Sequence, residues 1–155
     1  MKRISVLFLS LMLVITGCVG STTPVRAEES ATEVKYEDIT SENESRIQND
    51  FATYGVYLYM GDAVIAEAGS GKIAAGGSTS ARKTVTKITV GVRVQRKVDG
   101  LWYNYTTWSK SLNNASYVST SKELTVPKGY YYRVLTTHTA QTDSSTSSTS
   151  GIWID

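Results

Sequence analysis

Cysteine and histidine are nearly missing from this 155-residue chain, which holds one of each. With Cys18 as the lone thiol no disulfide forms within the chain, and cysteine redox or cysteine-ligated metal chemistry is excluded. A single imidazole, His138, leaves zinc without the three or four ligands it takes, and Asp143 among its Ser and Thr neighbours gathers too few oxygens for calcium. The Gly-x-Ser-x-Gly nucleophile elbow is absent. Gly69-Ser70-Gly71-Lys72 runs on into Ile73 and strand-like sequence, so it lacks the Ser/Thr and helix of a phosphate loop. His138 with Asp62, Glu67 or Asp143 and a serine is the one acid/base set that composition permits, and with no motif to assemble it the expectation is a protein without catalysis or cofactor. Glycines such as Gly76 and Gly77 are expected in turns or edge bulges.

What is present begins with an address. Lys2 and Arg3 precede an apolar run over 4–15 that is too short to span a bilayer, the layout of an export signal. Ile15-Thr16-Gly17-Cys18 looks like a bacterial lipobox, with cleavage before Cys18 and a diacylglyceryl group on its thiol. Val25-Arg26-Ala27 before Glu28 offers ordinary signal peptidase a competing site. The expectation is therefore export, either to the outer face of the cytoplasmic membrane as a lipoprotein or into the surroundings as a secreted protein.

Charge then divides the chain. Residues 28–50 carry eight acids against Lys35 and Arg46, a net of −6, whereas 51–155 carry eleven Lys and Arg against six acids, a net of +5. The domain expectation is a signal over 1–27, an acidic flexible linker over 28–50 with a nascent helix over 42–51, and a folded domain over 51–155. Such a linker gives a lipid-anchored domain a reach of about 30 Å.

From Phe51 onward, Val, Ile, Thr and Tyr alternate in short runs broken by Gly, Asn and Ser, which predicts an all-β domain. The clearest strand, 84–97, sets Ile88, Val90, Val92 and Val94 on a buried face against Lys87, Thr89, Arg93 and Gln95 on a wet one. Asp99-Gly100 then predicts a hairpin into a strand over 101–108. Further strands are expected over 55–60, 62–68, 72–78, 117–119, 122–126, 130–139 and 151–154. A polar Thr/Ser-rich loop is expected between 136 and 150. This count favours an antiparallel two-sheet sandwich of immunoglobulin or fibronectin type. In the strand over 130–139 the even positions are expected inward, because Arg133 is costly to bury, and Tyr130 or Tyr132 is expected to bond back to the Pro127 corner.

Gly71-Lys72-Ile73, Gly76-Gly77-Ser78-Thr79, the 92–96 strand, Trp102, Gly129-Tyr130-Tyr131-Tyr132-Arg133, His138 and Gly151-Ile152-Trp153-Ile154 together resemble an uncharacterised family of small exported proteins of Gram-positive bacteria, chiefly Clostridia. The resemblance covers about residues 53–155. It implies export and a β-rich domain and supplies no activity.

Two surface features remain as binding candidates. With Trp102 assigned to the core, Tyr103 and Tyr105 are expected outside as a stacking platform. Arg93 and Arg133 head a basic face, and His138 stands at the end of its strand. A net-positive exported domain meets anionic wall polymers and lipid head groups. The expected function is a non-catalytic cell-envelope binding module for a glycan, wall polymer or protein, and the competing expectation is a structural domain that self-associates within an envelope assembly. Nucleic acid is not an expected partner.

Overall fold

The computed structural model describes residues 31–51 and 55–155. The signal segment and Cys18 lie outside them. Eight strands form one antiparallel sheet: β1 (Ala31–Glu33), β2 (Glu44–Asp50), β3 (Leu58–Glu67), β4 (Lys72–Val98), β5 (Leu101–Thr125), β6 (Tyr130–Ala140), β7 (Asp143–Ser148) and β8 (Ile152–Ile154). All pairings are antiparallel, and the described residues are all-β apart from a short 3₁₀ turn at Tyr36–Asp38.

Two strands organise the sheet. The first part of β4 pairs with β3 and with the end of β5, and its second part pairs with the start of β5 and with β6. Between these parts the β4–β5 register shifts at Ser80/Val85. Such an irregularity bends and twists a strand locally. The runs expected at 72–78 and 84–97 are thus one strand, and those at 101–108, 117–119 and 122–126 are another. In place of two separate sheets, one sheet continues through β4 and β5.

The bend sets β3 against β6, and the main core fills the space between them. Ile88, Val90, Val92 and Val94 lie on its inner face, joined by Ala63, Ile65, Ile73, Ala75, Val118, Leu124, Tyr132, Val134, Ile152 and Ile154. Burial in β6 alternates as expected, with Tyr132, Val134, Thr136 and His138 inward. The Tyr132 hydroxyl donates to the Pro127 carbonyl at 2.7 Å and so ties the strand to the corner that precedes it. At the β4–β5 hairpin Asp99 (φ 50°) and Gly100 (φ 82°) both lie in the left-handed region, as a two-residue type I′ turn requires.

Three sequence expectations are corrected. The acidic segment 31–50 is part of the fold rather than a coil, and 42–51 contributes strand β2 rather than a helix. Tyr36 and Ile39 pack with Val64, Ala66 and Ala74 on the opposite face of β3 and β4, forming a second small core. Charge density concealed this, since only a few apolar residues are needed to seal one sheet face. Arg46 holds the turn down through Nη2 to the Ile39 carbonyl at 2.7 Å and Nη1 to the Tyr36 hydroxyl at 3.3 Å. Burial first, and the nearby Asp62 charge second, push the Tyr36 hydroxyl up, so it stays protonated. The polar loop expected after residue 136 is instead the end of β6, a two-residue turn and strand β7. Finally, Gly76 and Gly77 sit in mid-strand. A side chain at Gly76 would meet Ser121 and Tyr36, and one at Gly77 would meet Thr136. Each glycine lets a covering element approach the backbone closely.

Candidate binding surface

Cross-strand neighbours share a face of a sheet, so the β4–β5 register decides which aromatics face outward. The two-residue turn pairs Val98 with Leu101 and hence Lys97 with Trp102 and Gln95 with Asn104. Trp102 therefore lies on the face of Arg93, Gln95 and Lys97, opposite the valines. It is half-buried under the Arg133 guanidinium, whose carbon stands 4.4 Å from the ring centroid, with Lys97 Nζ at 5.7 Å. The expected placement of Trp102 in the core is thus reversed.

Tyr103 and Tyr105 exchange faces for the same reason. Val94 pairs with Thr106 and Gln95 with Asn104, so Tyr105 is the extra residue of a bulge. Its ring turns to the core side and packs edge-on against Tyr132 at 5.6 Å. Tyr103 is 53% exposed, but its partner in register is Arg96. Arg96 stands over Tyr130 at 4.7 Å and Tyr105 at 5.7 Å, at the open end of the core face. These two tyrosines do not form an outward platform.

A different set does. Tyr131 and Trp153 pair in register on β6 and β8, their rings meet edge-on at 5.1 Å, and they are 48% and 43% exposed. Arg96 pairs with Tyr132, which brings Tyr131 alongside Lys97. Trp102, Lys97, Tyr131 and Trp153 consequently form a row across β5, β4, β6 and β8. Three interstrand steps of about 4.8 Å give this row a width of about 14 Å. Beside it runs a polar row: Arg133 Nε donates to Gln95 Oε1 at 2.8 Å, and Gln95 Nε2 donates to Asn104 Oδ1 at 3.0 Å. Gly151 closes that row, where a Cβ would come within 3.1 Å of the Trp102 ring. Arg93, exposed, lies two residues farther along β4, with Thr107 and Leu135 beside it.

The remaining outer positions of this half are Lys87, Thr89, Ser109, Ser111, Asn113, Thr137, Thr139, Ser144, Thr146 and Ser148, read from their pairings. Four cations occupy the face. None of Lys87, Arg93, Lys97 and Arg133 has a carboxylate partner among the described residues.

His138 is removed from this surface. It lies at 0% exposure in the interior between β6 and β3, rather than at the strand end expected for it, because it occupies an even position of β6. Its Nδ1 is 2.9 Å from Thr79 Oγ1, and its Nε2 is 2.9 Å from Thr136 Oγ1 and 3.0 Å from Ser147 Oγ. Thr79 donates its proton to the Thr89 carbonyl and Ser147 donates its own to the Gly61 carbonyl. The proton count closes with a neutral ring, Nδ1–H donating to Thr79 and Thr136 donating to Nε2. Burial pushes the imidazole down to about 4. No carboxylate hydrogen-bonds to the ring; Asp62 takes the Ser78 hydroxyl on the other face, Glu67 takes Asn43, and Asp143 takes the Tyr57 and Leu58 amides. The His138 and carboxylate set imagined from composition is not brought together.

Among the described residues no cluster of three or more His, Cys, Asp or Glu is placed to hold a metal, and no helix is long and apolar enough to cross a membrane. Sequence reasoning put Gln95 and Tyr131 on outward faces without making them part of a binding surface, did not single out Trp153 or Asn104, and misplaced Trp102. The available signal was the hairpin register, since a two-residue turn at 99–100 already sets Trp102 opposite Lys97.

Comparison with protein-family models, with curated proteins and with solved structures finds no match for this chain.

Proposed function

We propose that this is an exported, non-catalytic binding module of the cell envelope, and that the aromatic row with its flanking cations is its binding surface. The observation that carries this is the coincidence, on one sheet face, of Trp102, Tyr131 and Trp153 in one row with four cations that form no ion pair among the described residues. Exposed aromatics set on rigid strands present large flat contacts at little conformational cost. The patch is held by stacking and hydrogen bonds rather than by a loop. Export, the choice between a Cys18 lipid anchor and secretion, and membership of the Gram-positive family belong to this reading and rest on the sequence. So does the description of the sheet as two sandwich layers, which the packing of β3 on β6 supports; its continuity through β4 and β5 departs from the immunoglobulin pattern.

The test is co-sedimentation of the purified protein with Gram-positive cell envelopes. Wild type is expected to bind saturably, and Trp153→Ala or the Arg93→Ala/Lys97→Ala double variant to lower affinity about tenfold, or 1.4 kcal/mol. Binding that ignores all three changes rejects the surface. Intact-mass measurement of the exported protein beside Cys18→Ala decides the anchor: a diacylglyceryl-cysteine start supports the lipoprotein, and a start at Glu28 supports release.

A further inference from the structure

Resting on the reading of this face as the binding surface, we propose that its ligand is an anionic polysaccharide, a chain of sugar rings bearing carboxylates. Two recognition elements point to it. Tyr131 and Trp153, both exposed, extend a row that begins at half-buried Trp102 and present aromatic surface, which matches the apolar faces of sugar rings. A flexible polyol phosphate has no flat ring to offer that row. Along the same face, Lys87, Arg93, Lys97 and Arg133 lie without an ion-pair partner among the described residues. A neutral glycan leaves these four charges unused.

Arg133 is the best-prepared anion contact. Its guanidinium is stacked on Trp102 at 4.4 Å and fixed through Nε to Gln95 at 2.8 Å. Its two terminal nitrogens have no partner among the described residues. A guanidinium held in this way offers a forked pair of donors to a carboxylate while its ring partner lies beside the sugar. The amide edges of Gln95 and Asn104 and the surrounding Ser and Thr hydroxyls supply neutral donors and acceptors for sugar hydroxyls. A protein partner is less well matched, because the face lacks the recessed apolar centre on which such contacts depend.

The test titrates the full chain with polygalacturonate, a neutral β-glucan and polyphosphate, with thermal melts to show that every variant is folded. The expected result is saturable binding to polygalacturonate, weakened about tenfold by Trp153→Ala and by Arg93→Ala/Lys97→Ala and retained by Trp153→Phe, which keeps a stacking ring. Equal affinity for the neutral glucan overturns the anionic assignment. Equal affinity for polyphosphate that is indifferent to Trp153→Ala overturns the sugar assignment, leaving charge attraction alone. Failure of all three probes while envelope binding still depends on Trp153 overturns the polysaccharide and spares the surface; envelope binding indifferent to Trp153 overturns the surface itself.

Discussion

The backbone of Gly61 lies flat against the His138 ring: a Cβ built there would stand 2.5 Å from Cδ2 and 2.7 Å from Nε2. The Thr79 and Thr136 hydroxyls hydrogen-bond the ring and Ser147 packs against it, so it has little freedom to retreat. Gly61→Ala is expected to cost about 1–3 kcal/mol through overpacking. Urea denaturation checks this, and a midpoint equal to wild type would show that the ring moves freely.

The same burial makes folding sensitive to acid. Native His138 protonates only near pH 4, whereas the unfolded chain protonates it near 6.5. The unfolded state therefore takes up the proton first. His138 contributes fully above pH 6.5, and its contribution is lost as pH falls from 6.5 through 4, by about 3 kcal/mol. Stability curves between these limits, compared with His138→Gln, test the sign: the variant should have the flatter profile, and the wild-type imidazole resonances should stay unshifted at pH 6.

Asp143 fastens the β6–β7 turn to the entry of β3, accepting hydrogen bonds from the Tyr57 amide at 2.6 Å and the Leu58 amide at 3.0 Å. The Leu58 and Tyr57 amides hold its carboxyl below the usual 3.8. Its contribution is present above pH 3.8 and disappears as pH falls through the lowered native value. Amide resonances of Tyr57 and Leu58 should follow one titration with a midpoint under 3.8 and should lose it in Asp143→Ala. A midpoint at or above the ordinary value would mean that the two bonds are not formed in solution.

Ending the chain at Ser150 removes β8, whose Ile152 and Ile154 are buried and whose Ile154 carbonyl accepts the Gly129 amide at 2.7 Å. Two buried isoleucines contribute about 1.5–3 kcal/mol each, a large part of what a domain has in reserve. Calorimetry of the truncated chain should show a strongly lowered or absent transition. A melting temperature within a few degrees of wild type would contradict this account of β8.

The strand content and the inward faces of β4 and β6 were legible because strict alternation of apolar and polar residues leaves one arrangement with a buried face. Segment 31–50 was not, because its acids disguise Tyr36 and Ile39, and their value depends on a sheet face elsewhere in the sequence. Strand β7 was hidden for a related reason. Ser and Thr carry no hydrophobic alternation, although Ser147 and Thr149 are buried and hydrogen-bonded. In the candidate surface, Arg93 and Arg133 were placed correctly on outward faces. Trp102 went wrong because its size suggested the core while the hairpin register pointed outward, and Tyr103 and Tyr105, assigned to the face opposite Trp102, went wrong with it.

Asn43 donates through Nδ2 to the carbonyl of Trp153, a bond across 110 residues of sequence, and β1 pairs with the end of β5. A chain made from its N-terminus first therefore holds β1 without its β5 partner, and Asn43 without its Trp153 contact, until most of it has been synthesised, although β2, β3 and β4 can pair in order. Closure of the fold at β1 and β8 comes last, and contacts so distant in sequence slow it.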